Sequence, residues 1–131
     1  MISLNEGIAV DAAHSTKNRK TEFQGVDLKT GKKILYQDIG NQTINIGEFL
    51  AIVEAVKYII DHDYEPKVIF SDSNTAISWF NNKRTASGQR NMKLVKAEIY
   101  LRAMAYWVDE IKVVKWDNRQ WGEIPADFNR K

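Results

Sequence analysis

Phe49, Ile52, Val53, Val56, Ile59 and Ile60 recur at steps of three and four residues, the period of a helix with one buried face. Asn45 and Glu48 at its start match an N-cap and its N3 partner. A helix with a single apolar stripe needs a surface to bury it against, and the flanking segments supply strands. Gly7 to Val10 reads as a short strand ending at Asp11. Phe23 to Leu28 and Ile34 to Ile39 read as two more, joined through the glycine-containing turn Lys29-Thr30-Gly31-Lys32. Gly25 inside the second strand predicts a bulge or a close backbone approach.

Beyond the helix, Pro66 precedes the apolar run Val68-Ile69-Phe70, a buried strand, and the spacing then predicts a helix from about Thr75 to Asn81. Lys83 to Asn91 reads as a loop. Leu94 to Trp107 returns to helical spacing, with Leu94, Leu101, Met104, Ala105 and Val108 inward. Ile111 to Trp116 is a last strand, and Asp117 to Lys131 a loop with one helical turn around Ala126-Asp127. Three strands, a helix, then strand–helix alternation predict an α/β fold. Its five-stranded mixed sheet joins an antiparallel meander to two parallel strands, with helices on both faces. Right-handed crossovers set the first and fourth strands side by side, so Asp11 and Asp72 come to neighbouring strand ends.

The 131 residues, 44% hydrophobic and 27% charged, suit one domain spanning 1–131. No apolar run is long enough to cross a membrane, and residues 1–7 show no secretory signal. The absence of cysteine excludes disulfides, thiolate zinc sites and cysteine nucleophiles, and fits a cytoplasmic protein. A net charge of +2 says little about partners. The clusters Lys17/Arg19/Lys20, Lys29/Lys32/Lys33 and Lys83/Arg84/Arg90 read as solvated surface, although a phosphate track has the same look.

Four acids stand out, and each has an ordinary explanation. Asp11 suits a turn at a strand end, Glu48 a capping box, Asp72 a helix cap and Asp127 an idle surface position. Together they are harder to dismiss. Asp11 and Asp72 would lie at neighbouring strand ends, and the start of the long helix, with Glu48, can pack against the same region, where like charges repel unless a cation neutralises them. Oxygen ligands without Cys or clustered His favour Mg²⁺ or Mn²⁺. Two such ions about 3.5–4 Å apart suit phosphodiester hydrolysis.

Over nearly its whole length the chain resembles the type 1 ribonuclease H family. The resemblance is carried by Ile8-Ala9-Val10-Asp11, by Thr43-Ile44-Asn45-Ile46-Gly47-Glu48-Phe49-Leu50-Ala51-Ile52, by Ile69-Phe70-Ser71-Asp72-Ser73 and by Pro125-Ala126-Asp127. It implies a ribonuclease H-like fold and metal-dependent cutting of the RNA strand of RNA–DNA hybrids, leaving 5′-phosphate and 3′-hydroxyl ends. It implies two Mg²⁺ ions, with Mn²⁺ a possible substitute. Asp11 would bridge both, Glu48 and Asp72 would complete one side and Asp127 the other. Thr43, Asn45, Ser73 and Asn74 match positions facing the hybrid, though local capping explains them equally well.

The chain departs from the family pattern in three ways. The loop Trp116–Ala126 lacks the histidine that relatives often carry, leaving Asp117 or Glu123 as substitutes, while His14 and His62 read as surface residues. The basic handle helix is missing. Only four residues follow Asp127, so a C-terminal helix shorter than the family's is expected. Trp79 and Trp107 read as core or rim, and Trp116 and Trp121 as packing for the loop before Asp127. The reading is of a monomer whose partner is an RNA–DNA hybrid. The rivals are a non-catalytic hybrid- or RNA-binding module and a resolvase- or transposase-like DNA nuclease.

Overall fold

The computed structural model describes residues 3–86 and 91–128. β1 (Ile8–Ser15), β2 (Lys20–Asp27) and β3 (Lys32–Asp38) form the antiparallel meander. α1 (Ile44–His62) crosses to β4 (Val68–Ser71), which pairs parallel to β1. α2 (Asn74–Asn82), α3 (Met92–Ala103) and α4 (Ala105–Val108) lead to β5 (Lys112–Lys115), parallel to β4, and α5 (Asn118–Trp121) follows. The sheet order is β3-β2-β1-β4-β5. That is the five-stranded mixed sheet expected.

Alternation along β1 sorts its side chains between two cores. Ile8, Val10 and Ala12 face the larger one, where α1 buries Phe49, Ile52, Val56 and Ile59, α2 adds Trp79 and Phe80, and α3 adds Leu94 and Leu101. Phe49 and Trp79 meet edge to face at 5.8 Å, a contact worth about 0.5–1.5 kcal/mol beyond its area. Ala9 faces the smaller core, with Phe70, Trp116, Ile124 and Ala126. On that side the sheet is covered by α5 and the segment that follows it, with Trp116 and Trp121 stacked edge to face at 5.2 Å.

Several boundaries differ from those predicted. β1 runs on to Ser15 because β2 pairs with it along its whole length. Asp11 is therefore mid-strand. It still lies at an opening, because the parallel pairing of β1 with β4 is confined to Ile8–Ile69 and Ala9–Phe70. Continuing that register by two residues sets Asp11 beside Asp72. The helix expected at 94–107 is interrupted at Met104, whose backbone leaves helical geometry, and Trp107 beyond the break is half exposed, at the rim. The single helical turn of the last segment falls at Asn118–Trp121, not at Ala126-Asp127. There, Asp127 N–H bonds Ile124 O at 2.9 Å and closes a turn instead. The predicted 83–91 loop falls partly on residues 87–90, including Arg90, which lie outside the described residues.

Gly25 behaves as its position suggested. The β2–β3 register shifts between Gly25 and Val26, and a Cβ on Gly25 would stand 2.9 Å from Leu35 Cδ1. Gly47 has the stronger consequence. A Cβ there would lie 2.9 Å from Thr21 Cγ2 and 3.1 Å from Ala12 Cβ, so glycine lets α1 sit directly on β1 and β2. The next residue is Glu48.

Candidate metal centre

Three elements deliver three carboxylates to one place. Asp11 comes from β1, Asp72 from the residue after β4, and Glu48 from α1 one turn past its N-cap. One ligand oxygen from each lies within 4.8 Å of the others. That span is a little more than twice a Mg–O distance of about 2.1 Å, so small side-chain adjustments would let one ion touch all three. Asp11 and Glu48 are buried and Asp72 is partly so.

The ordinary explanation for Glu48 fails. The N-cap of α1 is Thr43, whose hydroxyl accepts from Ile46 N–H at 3.4 Å, and Asn45 lies inside the helix. Glu48 is thus two residues beyond the N3 position and caps nothing. Its Oε1 instead accepts from Ala12 N–H of β1 at 3.3 Å, and its Oε2 is buried with no hydrogen-bond partner among the described residues. An isolated buried carboxylate oxygen is costly unless something neutralises it.

Asp72 is not a cap either. Ser73 caps α2, its hydroxyl accepting from Ala76 N–H at 3.1 Å. Asp72 Oδ2 accepts from Asn118 Nδ2 at 3.4 Å, and the Lys115 ammonium donates to the Asp72 carbonyl. Asp72 also sits just before the N-terminus of α2, where the helix dipole favours negative charge.

Burial, and then the charge of Asp72, push the Asp11 carboxyl up to about 7. Burial, and then the charge of Asp11, push Glu48 up to about 10. Both shifts have one meaning. Without a counter-ion the pocket resists full ionisation, and the two side chains can hydrogen-bond each other only when one holds a proton. The donor set is all oxygen. It fits a hard divalent cation of the Mg²⁺ or Mn²⁺ type.

Asp127 falls outside the three-acid cluster but close to it. Its charge contributes to the raised pKa of Asp11, and Gln24 Nε2 donates to its backbone carbonyl at 3.3 Å. Thr43 and Asn45 at the start of α1, and Ser73 and Asn74 at the start of α2, flank the acids. Thr43, Asn45 and Asn74 are exposed, whereas the Thr43 and Ser73 hydroxyls are engaged as caps. Neither histidine joins the cluster. His14 Nδ1 lies 2.8 Å from Thr21 Oγ1, and His62 stacks on Tyr58. Asp117 uses its carboxylate to cap α5, accepting from Arg119 and Gln120 N–H.

Gln24, Lys115 and Asn118 were not singled out from sequence. Each reaches the site through a contact with a residue 43 or more positions away, and no local pattern marks it.

A scan against models of known protein families finds no match. Solved structures do match. LC11-RNase H1, isolated from compost by a metagenomic approach, superposes with a TM-score of 0.58 at 15% identity, over 86% of this chain and 84% of that one. The fold is ribonuclease H-like. The same LC11-RNase H1 in complex with an RNA/DNA hybrid gives 0.57 at 14% identity, over 86% of both chains. RNase H1 from the halophilic archaeon Halobacterium salinarum gives 0.50 at 14%, again over 86% of both. Identities this low establish the ribonuclease H-like fold alone, and the chemistry has to be argued from the acids. Among the described residues no helix is long and apolar enough to cross a membrane.

Proposed function

We propose that this chain is a metal-dependent ribonuclease H that hydrolyses the RNA strand of RNA–DNA hybrids. The observation that carries the reading is the convergence of Asp11, Glu48 and Asp72 from three separate elements, with ligand oxygens within 4.8 Å of one another, on a ribonuclease H-like fold. Asp11 and Glu48 are buried, and Glu48 Oε2 has no hydrogen-bond partner among the described residues, an arrangement that stability alone does not favour.

Asp11, Glu48, Asp72 and Asp127 would hold two Mg²⁺ ions, for which Mn²⁺ could substitute. When bound, the ions supply an activated water and offset charge on the attacking and leaving oxygens of the phosphodiester. Asp11, central in β1, would serve both. Glu48 and Asp72 would complete one ion's set and Asp127 the other's. Thr43, Asn45, Ser73 and Asn74, at two adjacent helix N-termini, face the hybrid, which is read through RNA 2′-hydroxyls and backbone shape. The hybrid bound by LC11-RNase H1 supports this choice of substrate. One copy carries all four acids, so a monomer suffices.

The test is a panel of labelled RNA–DNA hybrid, double-stranded RNA and branched DNA, each with millimolar Mg²⁺ or Mn²⁺. The expected result is cleavage of the hybrid's RNA strand with 5′-phosphate ends. A tight gel shift without product would identify a non-catalytic binder, and cleavage of branched DNA a resolvase-like nuclease.

A further inference from the structure

Gln24 occupies an unusual place for an amide. It sits in β2 directly opposite Asp11 in the β1–β2 register, so both side chains rise from the same face of the sheet. It is nearly buried, at 9% exposure. Its Nε2 donates to Ala126 O at 2.6 Å and to Asp127 O at 3.3 Å, contacts spanning 102 and 103 residues of chain. Two carbonyl acceptors require a donor, so the amide orientation follows from the network.

Other contacts also anchor the segment it holds. Trp116 stacks on Phe70 and on Trp121 and donates to Gly122 O at 2.9 Å. Ile124 and Ala126 are buried in the smaller core. The Asp127 side chain begins one bond beyond a backbone that Gln24 grips at the carbonyl.

We infer that Gln24 is a positioning residue: its amide fastens the Ala126-Asp127 backbone to the sheet and thereby holds the Asp127 carboxylate beside Asp11. The assignment rests on the proposed role of Asp127 as a metal ligand. Replacing the amide by an apolar side chain leaves the buried Ala126 carbonyl without this donor and removes this tie from the turn that carries Asp127. Supporting residues of this kind alter metal affinity or activity by about 10- to 100-fold when changed.

A double-mutant cycle read by Mn²⁺ binding calorimetry tests it, using the full chain, with hybrid cleavage assayed separately. Gln24→Met, close to glutamine in length but without a donor, is expected to weaken one class of Mn²⁺ site about 10- to 100-fold. Asp127→Asn is expected to do the same, and the double variant to be no weaker than Asp127→Asn alone. Gln24→Leu repeats the cycle should the methionine variant fail to fold, as judged by circular dichroism. Wild-type Mn²⁺ binding in either single variant would overturn the assignment. So would a Gln24→Met loss that persists at full size in the Asp127→Asn background, which marks a general structural role. If wild type binds Mn²⁺ with this coupling yet cleaves no hybrid, the nuclease reading fails and the assignment of Gln24 stands.

Discussion

Replacing Glu48 by Gln separates the two demands on that position, since it preserves shape and removes charge. The Ala12 N–H that Glu48 Oε1 accepts at 3.3 Å can still be accepted by the amide oxygen, while the amide N–H₂ can donate to Asp11 as only a protonated Glu48 could. In metal-free protein at about pH 8, folding must keep a proton on a carboxyl whose pKa is about 10 when folded and 4.5 when free. The ceiling on that cost is about 5 kcal/mol. Water entry and side-chain relaxation reduce it, and we expect Glu48→Gln to stabilise the metal-free protein by roughly 1–4 kcal/mol. The sign follows from linkage. Because the folded pKa is raised, the native state binds more protons than the unfolded state, so wild-type stability is whole below about pH 4.5 and falls as pH rises toward about 10. The variant's advantage should therefore be absent near pH 4 and grow with pH. Urea unfolding in chelator across this range measures it. In millimolar Mg²⁺ the advantage should shrink, since wild type gains RT ln(1 + [L]/Kd), about 2.7 kcal/mol at a hundredfold excess over Kd, and the variant gains less. An advantage independent of pH, or none in chelator at about pH 8, would refute the electrostatic account of the site.

Asp72→Asn is expected to abolish hybrid cleavage while leaving circular dichroism unchanged, because the Asp72 carboxylate caps no helix. Gly47→Ala should cost about 1–3 kcal/mol in denaturant unfolding and lower activity together, since the added Cβ meets the buried Thr21 and Ala12 and moves the helix that carries Glu48. Thr43→Ala should cost about 1 kcal/mol through the lost N-cap, measured the same way. Trp116→Ala should cost about 3–5 kcal/mol and abolish the near-ultraviolet signal of its stacked pair with Trp121.

The strand and helix order was legible because the long-range architecture follows from local periods. The stripe of Phe49, Ile52, Val56 and Ile59 is a helix buried as expected, and the turn around Gly31 joins β2 to β3. What local patterns could not reveal came from pairing between distant segments. Asp11 looked like a strand end because the apolar run stops there, but β2 carries the strand on to Ser15. Glu48 looked like a capping partner because Asn45 precedes it by three. The cap moved to Thr43, and the acid turned inward onto Ala12 N–H. Asp11, Glu48 and Asp72 were recognisable as a group because topology and motif agreed. Gln24 was not, because its significance lies in a contact made 102 residues away.

The central claim is that these acids work by holding divalent metal against a hybrid's RNA strand. Single-turnover cleavage of an end-labelled RNA–DNA hybrid, titrated with Mg²⁺ for wild type and Asp11→Asn side by side, tests it most directly. The account predicts product from wild type that rises with Mg²⁺ and vanishes in chelator, and none from a folded Asp11→Asn protein. Cleavage that survives the chelator, or that Asp11→Asn performs at the wild-type rate, would contradict it.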